Sequence, residues 1–174
     1  MRFLTCPIPG VWLIEPSLLA DERGRFWRAW CARELADQGI DFRPVQANMG
    51  SSRVKGTVRG LHYQTHPAPE AKLMRCTSGA VFDVVVDLRP GSPTHGCWHG
   101  VELSAENACM LYVPEQCAHG YQTLRDDAEI HYLTSACYTP DAVRGVRYDD
   151  PAIGIRWPLP ATAVSVQDRS WPLL

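Results

Sequence analysis

Arg59, His62, Gln64, Lys72, Asp83, His119 and Tyr132 all fall inside segments whose remaining residues read as β-strands. So many polar groups in strand interiors point to a lined cavity, because a buried polar group must find a partner. Asp83 makes the point most sharply. It stands on one face of Val81-Phe82-Asp83-Val84-Val85-Val86-Asp87-Leu88 among Val81 and Val85, while Phe82, Val84, Val86 and Leu88 share the other face. An imidazole, with a reference pKa of about 6.5, is partly neutral and can accept a proton near pH 7. Other chemistries lack their sequence signatures, since there is no G-x-G-x-x-G, no Walker lysine loop and no G-x-S-x-G elbow.

The elements that must position these residues are short. Fourteen prolines and 13 glycines cut 174 residues into pieces that suit strands better than long helices. The spacing predicts strands over Val11 to Glu15, Arg25 to Trp30, Gly56 to Gln64, Lys72 to Thr77, Val81 to Leu88, His99 to Leu103, Cys109 to Val113 and Glu129 to Thr134. One helix is expected over Cys31 to Gln38, closed by Gly39. The Pro-rich stretch from Pro151 to Pro172 reads as an irregular strap anchored by Trp157 and Trp171. No repeat or linker interrupts the chain, so residues 1–174 are expected to form one all-β sandwich or barrel. Strict alternation would place Arg59 and His62 on opposite faces, so if both line one pocket a bulge or kink is expected near Gly60.

Composition narrows the partners. Hydrophobic residues make up 45% and charged residues 21%, as in an average soluble protein. A net charge of -2 supplies no overall pull toward nucleic acid or anionic lipid. No apolar run is long enough to cross a membrane, and Pro and Gly interrupt the opening residues, so a cytoplasmic protein is expected. The seven cysteines form no C-x-x-C pair, which argues against a disulfide framework or a thiolate zinc site.

An ordered set of segments then resembles one family. Asp21-Glu22-Arg23-Gly24, Asn48, Arg59-Gly60-Leu61-His62-Tyr63-Gln64, Lys72-Leu73, Val84 to Arg89, Gly91-Ser92-Pro93-Thr94, Ala118-His119-Gly120, Asp149-Asp150-Pro151, Trp157-Pro158 and Ser165-Val166-Gln167-Asp168 follow the pattern of the dTDP-4-dehydrorhamnose 3,5-epimerases of the cupin superfamily. The likeness runs from Pro9 to Pro172. It implies a cupin-like jelly-roll β-barrel with a few short peripheral helices, and a homodimer in which N-terminal strands pair across to the partner's sheet. It also implies a nucleotide diphosphate 4-keto sugar as substrate, with neither cofactor nor metal. The ketone makes the reaction possible, because protons on C3 and C5 lie α to it and their removal gives an enolate.

Residue by residue, the resemblance implies His62 as base and Asp168 as the carboxylate that accepts from its other ring nitrogen. It implies Tyr132 as the acid on the opposite face and Lys72 as the cation beside the enolate oxygen, with Asp83 expected to hold that lysine. Arg23 and Arg59 match positions that contact the diphosphate; Phe26, Gln46, Asn48, His119 and Tyr138 match wall positions. Two positions depart from the family pattern: Arg28, near the nucleotide base, stands where many members carry a carboxylate, and Glu70 where they carry a glutamine. The base is thus open among dTDP, CDP and GDP, as is inversion at C3, C5 or both.

Blander readings accompany each residue. The Arg25 and Arg28 pair reads first as a solvated face and only second as base recognition, Phe26 and Tyr138 read equally as core aromatics, Asp83 reads almost as well as a structural partner, and His66, His95, His99 and His131 carry no assigned work. Two other function classes compete. A metal-dependent cupin is suggested by the Pro114 to His119 spacing together with His62, His66 and Glu70, although the H-x-H pair is missing and Lys72 would repel a cation. A non-catalytic sugar-binding module would need no acid opposite a base, which His62, Tyr132 and Asp168 together supply.

Overall fold

The structure, a computed structural model, describes residues 1–174. Two antiparallel sheets face each other. The first runs β1 (Arg2–Thr5), β2 (Trp12–Glu15), β10 (Met110–Val113), β7 (Lys72–Ser78), β12 (Ala128–Thr134) and β5 (Gln46–Ser52) in spatial order. The second runs β13 (Val143–Gly145), β6 (Thr57–Gln64), β11 (Cys117–Thr123), β8 (Ala80–Asp87) and β9 (Trp98–Ser104), with the short β14 (Ala163–Val164) parallel to β6. Strands β3 (Leu19–Asp21) and β4 (Gly24–Phe26) form a separate hairpin. This is the cupin-like all-β architecture that the resemblance implies.

Alternation along β8 builds both sides of its sheet. Val81 and Val85 join Met74, Leu111, Val113, Tyr121 and Ile130 in an apolar plug between the sheets. Val84, Val86 and Leu88 point the other way, where Val146, Ile153 and Trp157 of the following segment cover them. The Pro-rich strap therefore lies on the outer face of the second sheet, and the Trp157 indole donates to the Tyr148 carbonyl at 2.8 Å. Helix α1 (Ala32–Ala36) covers the outer face of the first sheet with Leu35, Ile40 and Phe42. Gly39 stops it with φ of +75°, a conformation that costs glycine nothing.

Two expectations for the elements need correction. The strand expected over Arg25 to Trp30 ends at Phe26, because the hairpin has no third strand to continue the ladder and Arg25 turns its guanidinium to the Ala105 and Glu106 carbonyls. Strands β5 and β11 were not legible: β5 reads Gln-Ala-Asn-Met-Gly-Ser-Ser, yet pairs with β12 over its whole length.

Candidate active site

A cavity of about 700 Å³ opens between the sheets and abuts the apolar plug at Met74, Tyr121 and Ile130. The first sheet contributes Gln46 and Asn48 from β5, Lys72 from β7 and Tyr132 from β12; the second contributes Arg59 and His62 from β6 and His119 from β11. Facing sheets stand about 10 Å apart, so Tyr132 and His62 occupy opposite walls of a space that fits a sugar ring.

His62 shares that wall with Arg59 through a bulge. His119 pairs with His62 and Tyr121 with Arg59, so β6 carries one residue more than β11 across the same interval. The extra residue turns Leu61 into the outer core and returns both polar side chains to the cavity. Glycines make the bulge possible: Gly60 has φ of +126°, and a Cβ there would lie 2.5 Å from Gly120 Cα. The expected irregularity at Gly60 is thus present, with Gly120 as its counterpart.

Asp168 reaches His62 from 106 residues away. It sits on α2 (Val166–Ser170), where Ser165 caps the helix by accepting from the Asp168 backbone N–H at 2.9 Å. One carboxylate oxygen lies 2.5 Å from His62 Nε2 and the other accepts the Gly60 N–H at 3.4 Å. Burial alone would push the Asp168 carboxyl up, but the hydrogen bonds and charge of His62, with the Gly60 N–H and Ser165, hold it below its ordinary value. An ionised carboxylate only accepts, so Nε2 donates, and in the neutral form of the ring the lone pair is on Nδ1. Trp171 braces the ring edge-on, with centroids 6.0 Å apart.

Lys72, almost wholly buried, donates to the His62 carbonyl at 3.1 Å and pairs with Glu70 at 3.0 Å. Tyr132 is pushed up by burial and by the Glu70 carboxylate, against a smaller downward pull from Arg59, so its phenol stays protonated around neutral pH. Arg59 is tethered to Ser52 Oγ at 3.1 Å and to the Ser51 carbonyl at 2.9 Å. Gln46 bonds Asn48 and accepts the backbone N–H of Tyr138, an exposed residue at the cavity rim.

Similarity to known proteins agrees with this geometry. The family model described as dTDP-4-dehydrorhamnose 3,5-epimerase matches residues 5–174. A protein of that name from Sinorhizobium fredii is 46% identical over 100% of this chain and 90% of its own length. This chain belongs to the dTDP-4-dehydrorhamnose 3,5-epimerase family. Another relative, from Streptomyces niveus, is named dTDP-4-dehydrorhamnose 3-epimerase and is 41% identical over 100% of this chain and 84% of its own length. The solved epimerase of Legionella pneumophila in complex with dTDP-4-keto-L-rhamnose superposes with a TM-score of 0.94 at 38% identity, covering 99% of this chain and 92% of that one.

Four residues expected at the site fall elsewhere than the cavity wall of this protomer. Asp83 does not hold Lys72. It is wholly buried behind the wall, where it bonds His119 Nε2 at 2.9 Å, and Glu70 takes the lysine instead. Arg23 and Phe26 project from the β3–β4 hairpin, 83% and 72% exposed, with Arg23 turned back on Asp21. Arg28 pairs with Glu34, which also holds the N-terminal amine. Sequence reasoning gave Glu70 no place at the lysine, although its position two residues before Lys72 puts both on one face of an extended segment. It missed Tyr121, which lines the cavity at the Arg59 pair, because β11 is buried throughout and shows no alternation. His66 lies outside the cavity lining, and no three His, Cys, Asp or Glu side chains converge as a metal site would require.

Proposed function

We propose that this protein is a nucleotide-sugar epimerase that inverts carbons α to the C4 ketone of a dTDP-linked 4-keto-6-deoxyhexose. The observation that carries the reading is the placement of the His62–Asp168 pair and Tyr132 on facing sheets of one cavity. His62 Nδ1 takes the proton from C3 or C5, and Asp168 stabilises the imidazolium that results. Electron density moves into the ketone, and the ammonium of Lys72, itself almost wholly buried, meets the developing enolate oxygen. Tyr132 then returns a proton from the other face. Arrival from the side opposite to departure is what inverts the centre.

The diphosphate needs cations. Arg59 supplies one within the protomer. Arg23 and Phe26 are read as reaching the cavity of a second copy, because their hairpin pairs with no other strand of its own chain and β5 is an unpaired edge beside the cavity. The protein is thus a homodimer in this reading. Relatives named 3,5-epimerases support inversion at both C3 and C5; the relative named a 3-epimerase marks the second reading, inversion at C3 alone.

One experiment tests base, acid and stereochemistry together. The protein is incubated in deuterated water with dTDP-, CDP- and GDP-linked 4-keto-6-deoxy sugars, and deuterium at C3 and C5 is followed by NMR. The parent is expected to exchange and invert the dTDP sugar. Tyr132→Phe should still exchange while inverted product falls by about 10²-fold. Equal loss of both would refute the acid role, and a parent that exchanges nothing would refute the activity. Deuterium confined to C3 would establish the second reading.

A further inference from the structure

Asp168 is suspended between two fasteners. At the near end of the strap β14 pairs with β6, and the Thr162 N–H just before it donates to the Gly56 carbonyl at 3.0 Å. From Ser165 to Trp171 the hydrogen bonds to the rest of the protein are those of Asp168 alone. The five-residue α2 is too short to hold its own shape, so its place depends on what grips it from outside. Trp171 supplies no polar grip. Its indole N–H is buried without a partner, and the ring rests on Gly145 by shape.

The second fastener lies beyond Trp171. Asp150 is 2% exposed, and its two carboxylate oxygens accept the Ala152 N–H at 2.7 Å and the Leu174 N–H at 2.6 Å. The first bond closes a local turn, whereas the second joins residues 24 apart. The Arg147 N–H to the Pro172 carbonyl, at 3.2 Å, runs beside it. The segment doing the holding leaves β13, whose Gly145 lies directly across the ladder from His62. One frame therefore fixes both the imidazole and the tail that carries its partner. We propose that Asp150, which does not line the cavity, is a positioning residue for the His62–Asp168 pair: by seating Leu174 it keeps α2 and Trp171 against the barrel and Asp168 within 2.5 Å of His62 Nε2. The inference deepens the epimerase reading and rests on it only for the effect on turnover. An ångström of slack at such a pair is enough to slow proton transfer.

The deciding measurement uses the protein without substrate. The His62 Nε2 proton is followed by NMR as a downfield resonance, assigned by its loss in His62→Ala, and its exchange with water is timed. Asp150→Ala should speed that exchange by about 10-fold, because the carboxylate that protects the proton is no longer held in place. Leu174→Pro removes only the donated N–H and should do the same, which keeps the test open should Asp150→Ala fail to fold. Gln122→Ala, which frees the strap from the outer sheet at Leu159, ahead of β14, should leave the proton as in the parent. With a 4-keto sugar nucleotide, Asp150→Ala should slow turnover by about 10-fold in the parent background and less than about 2-fold in Asp168→Asn, since the latch acts through that carboxylate. Unchanged proton exchange in both latch variants would overturn the proposal, as would equal acceleration in Gln122→Ala or full, independent losses in the double variant. A parent that turns over no sugar would refute the epimerase reading and leave the proton measurement to decide the role of Asp150.

Discussion

Two histidines stand opposite each other on β6 and β11, and each bonds a carboxylate. Their surroundings separate them. His119 is 6% exposed and its partner Asp83 wholly buried, coming from the neighbouring strand β8 at a diagonal position of the ladder. His62 is 38% exposed toward the cavity, and its partner arrives on a short helix from the distant strap. A pair made inside one sheet is rigid and closed, and serves as wall. The other is open on one side and held on the other, the arrangement a proton acceptor needs.

Removing each imidazole should break that comparison most visibly. His62→Ala is expected to abolish isotope exchange, a loss of about 10²–10⁴-fold or more, with a stability change of only about 1 kcal/mol because cavity water can reach Asp168. His119→Ala should do the reverse in emphasis. It strands the Asp83 carboxylate, one of whose oxygens already lacks a protein partner, and should cost about 3 kcal/mol or more in urea unfolding. Equal stability losses in the two variants would remove the distinction between base and wall.

Asp168→Asn is the next step down, expected to slow turnover by about 10–100-fold through the lost orientation of His62. It also carries a pH signature. The Asp168 carboxyl lies below its ordinary value of 3.8 in the folded protein, so its stabilising contribution is fully present above that value and is lost as pH falls through the lower, folded one. The difference in thermal midpoint between parent and Asp168→Asn should therefore be constant from neutral pH down to about 5 and shrink below about 4. A difference that stayed flat into strong acid would mean that the pair with His62 does not stabilise the carboxylate.

The open pair was more legible in the sequence than the closed one. His62, Tyr132 and Asp168 stand in segments whose residue types restrict their use, and the need for Arg59 and His62 on one wall was enough to place a bulge at Gly60. Strand β8 was legible because its apolar residues alternate between two cores. Strand β5 was not, since its inward residues are the polar cavity wall and its stability comes from pairing with β12, which leaves no periodic trace. The partners of Asp83 and Lys72 were exchanged in the sequence reading for a related reason. Inward-facing charges can be recognised in one dimension, but which of them meet depends on the offset between strands that only the folded sheets define.

The smallest expected effect probes what braces the open pair. Gly145 lies directly across the ladder from His62, and a Cβ there would sit 2.4 Å from Cε2 of Trp171. The indole cannot simply withdraw, since the chain on either side is tied down: Asp168 is held at His62, and the Pro172 carbonyl accepts from the Arg147 N–H at 3.2 Å. Gly145→Ala should therefore strain the strap by about 1–3 kcal/mol and reduce turnover only several-fold, because the ring of His62 is displaced rather than lost. A double-mutant cycle isolates the cause. If the clash is with the indole, adding Gly145→Ala to Trp171→Ala should cost almost nothing in thermal unfolding, whereas in the parent it costs the full amount. Equal costs in both backgrounds would place the strain in the backbone of β13 and relieve Trp171 of any part in holding His62.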